Sequence, residues 1–108
     1  MKLIELCREL NECYSNENYL AVAMLTRALL DHIPPIFGFI NFSEVANNYK
    51  GSRSFKASML HLDNSCRKIA DAHLHGPIRK REVLPSRTQV NFANDVDVLL
   101  SEIVRILG

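Results

Sequence analysis

The chain has no tryptophan, only four glycines and four prolines among 108 residues, and three cysteines. So few turn-formers exclude a turn-rich β-sandwich, and no run alternates apolar and polar residues at a period of two. No internal repeat and no low-complexity segment is present. A glycine-rich phosphate loop and a nucleophile elbow are also missing. His73 and His75 are two apart, and no carboxylate–histidine set has ligand spacing, so neither metal nor cofactor is expected. No stretch is read as approaching the roughly 18 apolar residues of a membrane span. The N-terminus mixes charge with apolar residues from Lys2 onward, unlike a signal peptide. Cys7, Cys13 and Cys66 are odd in number, which fits reduced thiols in a cytoplasmic protein. Cys7 and Cys13 point about 120° apart on a helix, so they read as small hydrophobes.

What is present fits one helical domain over 1–108, standing alone or cut from a longer protein. Hydrophobic residues at 47% and charged residues at 23% argue against disorder. The net charge is +1, but it is unevenly spread. Up to Asp31 there are three basic and five acidic residues; from Ser65 to Val90 there are six basic and two acidic. A basic second half attracts phosphate, unless it is only solvated surface.

Leu3, Leu6, Leu10 and Cys13 have helical spacing. Asn16 is placed to cap a second helix, ENYLAVAMLTRALLDHI, which Pro34-Pro35 stops. Apolar nearly all round, that helix predicts neighbours on more than one face. Phe37, Phe39 and Phe42 follow in a connection that packs under the bundle, and Ser43 is placed to cap a short helix through Ala46. A long helix over Ser54–His75 stops at Gly76-Pro77, and a last one runs from Thr88 to Leu107. The expected fold is all-α, a compact bundle of four longer helices and one short helix.

At about 100° per residue, Phe55, Met59, Leu62, Cys66, Ile69, Ala70 and His73 share one arc of the long helix. That assigns His73 to the core. Asn64, Arg67, Asp71 and His75 form a separate polar stripe with four-residue steps that let neighbours touch. Arginine, aspartate and histidine together offer phosphoryl chemistry: an imidazole to move a proton and a guanidinium to stabilise charge on phosphate. The competing reading is an exposed ion-pair ladder worth a few tenths of a kcal/mol per pair. Arg27 and Asp31, also four apart, interrupt the apolar second helix. Such a pair either anchors that helix to another or completes a polar site with the Asp71–His75 stripe.

RALLDHI, then CRKIADAHLHG, then a final amphipathic helix resemble a HEPN-like domain, one of the small helical bundles of prokaryotic toxin and defence systems. The signature of that superfamily is an arginine, four to six residues and a histidine, which Arg67 and His73 match. Arg67, Asp71 and His75 resemble a subgroup in which Ile-Gly-Asn follows the arginine and precedes the histidine; here Ile69-Ala70-Asp71 occupies that place. Lys68 stands where the nuclease members prefer Asn, Asp or His after the arginine, and Asp71 replaces the amide of that subgroup.

The resemblance implies either a non-catalytic dimerisation or docking module or a metal-independent endoribonuclease built across a homodimer. In the enzyme, Arg67 would stabilise the transition state, His75 would transfer the proton, and Asp71 would orient His75. Arg79, Lys80 and Arg81 would bind backbone phosphate, with Arg27 and Asp31 as the supporting pair. The implied partners are a second copy, RNA, and a protein partner or further domains of a parent chain, without a membrane. Helix-turn-helix DNA binding is disfavoured, because the basic run sits in a Gly-Pro-bounded loop rather than on a recognition helix.

Overall fold

A computed structural model describes residues 1–74 and 83–108. The described residues are helical and contain no strand. In chain order they form α1 (Lys2–Ser15), α2 (Tyr19–His32), a 3₁₀ turn (Pro34–Phe37), α3 (Phe42–Asn48) and α4 (Arg53–His61). A π turn (Leu62–Cys66) joins α4 to α5 (Arg67–Leu74), so residues 53–74 make one continuous rod. After the undescribed segment come α6 (Arg87–Val90) and α7 (Ala93–Leu107).

The all-α expectation holds, with differences at the helix ends. Asn16 ends α1, and Asn18 rather than Asn16 precedes α2, without a side-chain cap bond. The turn between them closes through the Asn18 amide, which donates to the Cys13 carbonyl at 2.8 Å. Asn41, not Ser43, caps α3: its side-chain oxygen accepts from the Glu44 amide at 2.9 Å. This earlier cap makes α3 seven residues long. Ser52 caps the rod, accepting from the Phe55 amide. The single C-terminal helix expected from Thr88 to Leu107 is broken at Asn91–Phe92. Ser86 and Gln89 cap α6 reciprocally, and Phe92 turns into the core. Asn91 then accepts from the Ala93 amide, which starts α7.

α2 is the central element. It packs against α1, α5, α6, the 3₁₀ turn and the π turn, which accounts for its apolarity on several faces. Leu29, Leu30, Ile33, Phe42, Met59, Leu62 and Leu99 are fully buried together. Phe37 and Phe42 pack in this core as expected, and Phe39 lies half-buried at its edge. One correction concerns hydropathy. Tyr19–Phe37 is 19 residues long with a mean hydropathy of 1.3, so by length and composition it suffices for a membrane span. In the fold, 44% of that stretch is buried, Val22, Ala23, Leu29, Leu30 and Ile33 among it, while its two charges pair with the rod.

Candidate functional site

Two helices supply five charged side chains. α2 presents Arg27 and Asp31 one turn apart, and the rod presents Asp63, Arg67 and Asp71 at steps of four. Because α2 packs along α5, the two sets meet. Arg67 donates from Nε to Asp63 Oδ1 and from Nη2 to Asp31 Oδ1, each at 3.1 Å. Arg27 Nε stands 3.7 Å from the other oxygen of Asp31, while its Nη1 pairs with Asp71. The charges therefore alternate along a chain of contacts, Asp63–Arg67–Asp31–Arg27–Asp71.

This network is neither sealed nor open. The Arg27 and Arg67 side chains are 25% and 29% exposed and that of Asp63 only 14%, whereas Asp31 and Asp71 are about half exposed. Each guanidinium is divided between two carboxylates, and three aspartates outnumber two arginines. With both arginines engaged in this way, an incoming phosphate would have to displace a carboxylate to reach either one.

Four of the expected site residues, Arg27, Asp31, Arg67 and Asp71, are thus brought together. His75, Arg79, Lys80 and Arg81 lie outside the described residues. The polar stripe needs one correction: Asp63, not Asn64, meets Arg67, and Asn64 is exposed. Angular bookkeeping at an α-helical 100° fails here because a π turn advances less per residue. The four-residue rhythm of Asp63, Arg67 and Asp71 was the signal that identifies the partner. His73, assigned to the core by the same bookkeeping, is half-buried, as is Ile69; Phe55, Met59, Leu62, Cys66 and Ala70 form the buried stripe.

A second polar contact had no local signal, since its residues are 34 apart. His61 Nδ1, at the end of α4, donates to Asp95 Oδ2 of α7 at 2.5 Å, and the imidazole rests against Phe92. This bond ties α4 to α7. Among the described residues, no group of three histidine, cysteine or carboxylate side chains could hold a metal ion.

Cys66 ends the π turn beside Arg67 and is 1% exposed. Burial pushes its thiol up to about 12, against the opposing pull of Arg67 and Arg27. An acid whose pKa rises on folding favours the fold below its unfolded value, near 8.5, and this contribution is lost as pH rises toward the folded value. Cys66 is accordingly expected to resist alkylation at neutral pH until the fold opens, while half-buried Cys7 and Cys13 react first. Mass spectrometry of timed iodoacetamide labelling checks this order.

No protein-family model, curated protein or solved structure matches the chain.

Proposed function

We propose that the chain is a cytoplasmic, HEPN-like helical module that acts by dimerisation or docking, with its arginine–aspartate network holding helices rather than cutting RNA. The observation carrying this reading is the sharing of both Arg27 and Arg67 between carboxylates. A catalytic arginine must face the substrate phosphate at the moment charge develops. Here both are already engaged by carboxylates.

Light scattering behind size exclusion, run beside a metal-free RNA-cleavage assay, tests the proposal. A dimer, or a complex with a partner, that cuts no RNA is expected, and assembly should survive His75→Ala. RNA cleavage lost in both Arg67→Ala and His75→Ala, with each variant still folded, would overturn it.

A second reading is favoured by the π turn immediately before Arg67, a feature frequent at functional sites, and by the half-exposed edge at Asp31 and Asp71. In it the chain is a metal-independent endoribonuclease of a defence or stress system. Phosphate displaces Asp31 from Arg67, His75 transfers the proton under the orientation of Asp71, and Arg79, Lys80 and Arg81 hold the RNA backbone. Two protomers then complete one site across a two-fold axis.

A further inference from the structure

Residues of α1 and α7, with others from α2 and α6, line a cleft of about 170 Å³. Its walls are mainly apolar: Cys7 and Leu10 from α1, Val22 from α2, Val90 from α6, and Val96 and Leu100 from α7. The volume is close to that of an apolar void of about 150 Å³ able to take up benzene. Thr26 also lines it, but its hydroxyl donates to the Val22 carbonyl at 2.8 Å and is already satisfied.

The polar groups of the cleft are unequal in charge. Asn11, Asn91 and Asp97 line it and are exposed, so they sit where it meets solvent. Among the described residues, no lysine or arginine lines it, and Asp97 has no ion-pair partner. The nearby cations are engaged elsewhere. Arg8 is held by Glu5 and Glu12, and Arg87 by the Tyr19 hydroxyl and Glu17, over the Tyr14 and Tyr19 rings. One exposed carboxylate lining a ring-sized apolar cleft, which two exposed amides also line, matches a compact hydrophobic body carrying a positive hydrogen-bond donor.

We propose that the cleft lined by α1 and α7 binds a small ring-bearing primary amine in its ammonium form, with the ring against Leu10, Val96 and Leu100 and the ammonium on Asp97. This site stands apart from the arginine–aspartate network and does not depend on the docking reading. A partly solvated charge pair of this kind contributes up to about fivefold in affinity.

The test is titration of the ¹⁵N-labelled full chain with benzylammonium, benzyl alcohol, benzoate and butylammonium. Benzylammonium is expected to shift the amides of Leu10, Asn11, Val96, Asp97 and Leu100, and to bind about fivefold more tightly than benzyl alcohol. Benzoate should bind least. Asp97→Asn should erase the advantage of the ammonium while leaving the alcohol unchanged, and Leu100→Phe, which fills the cleft, should weaken both. Equal binding of amine and alcohol to the unsubstituted chain, or an amine affinity unmoved by Asp97→Asn, would overturn the proposal. So would shifts confined to other surfaces, or no shifts at all. Butylammonium binding as well as benzylammonium would overturn the ring-sized assignment, pointing instead to the lysine side chain of a protein.

Discussion

Arg27→Ala is expected to lower the stability of the chain by about 2 kcal/mol, read as a reduced urea midpoint at an unchanged slope. Arg27 bridges Asp31 of α2 and Asp71 of α5, so its removal breaks that bridge and leaves Asp31 held from the rod by Arg67. Breaking a fully buried pair costs about 3–5 kcal/mol, and the quarter exposure of Arg27, with the half exposure of both its partners, places this one lower, because solvent screens the carboxylates. Arg67→Ala strands the less exposed Asp63 and should cost a similar amount. Arg67→Lys should recover less than half of that loss. A single ammonium cannot serve Asp63 through one nitrogen and Asp31 through another, as the guanidinium does. An Arg27→Ala variant as stable as the parent chain would mean that the network does not fasten α2 to α5.

These arginines also show how far the sequence could be read. Arg27 and Asp31 stood out because two charges interrupt a helix that is otherwise apolar, and burial forces such charges to find partners. Arg67 and Asp71 stood out through their four-residue spacing. What the sequence did not supply was the meeting of the two sets, which depends on α2 packing along α5. The π turn was hidden as well, since the buried positions Met59, Leu62, Cys66 and Ala70 keep ordinary helical steps through it. His61 and Asp95 met only through the antiparallel return of the chain, and nothing within either segment announces a partner 34 residues away. The break at Asn91–Phe92 was obscured because Phe92, Val96, Leu99 and Ile103 keep helical steps from the break onward. There the asparagine's competition for backbone hydrogen bonds outweighed periodicity.

Phe42→Ala is expected to have the largest effect of any single truncation considered, about 3–5 kcal/mol. The ring has no exposed surface and lies in the main core, at the start of a helix fixed by the Asn41 cap. Alanine there loses the transfer energy of the ring and leaves a cavity that the capped helix cannot readily close. For a domain whose total stability is about 5–15 kcal/mol, the midpoint of thermal unfolding should fall by about 15 °C or more. Phe39→Ala, at the half-buried edge, should cost about 1 kcal/mol, and Ile40→Ala, at an 87% exposed position, should stay within about 0.5 kcal/mol. A Phe42→Ala loss no larger than that of Phe39→Ala would show that α3 is not anchored through this ring. The consequence should reach the candidate site, because α3 packs against both α4 and the π turn that carries Asp63 and precedes Arg67. Once that support loosens, the rod opens more often, and Cys66 at the end of the π turn should be alkylated faster than in the parent chain while Cys7 and Cys13 change less.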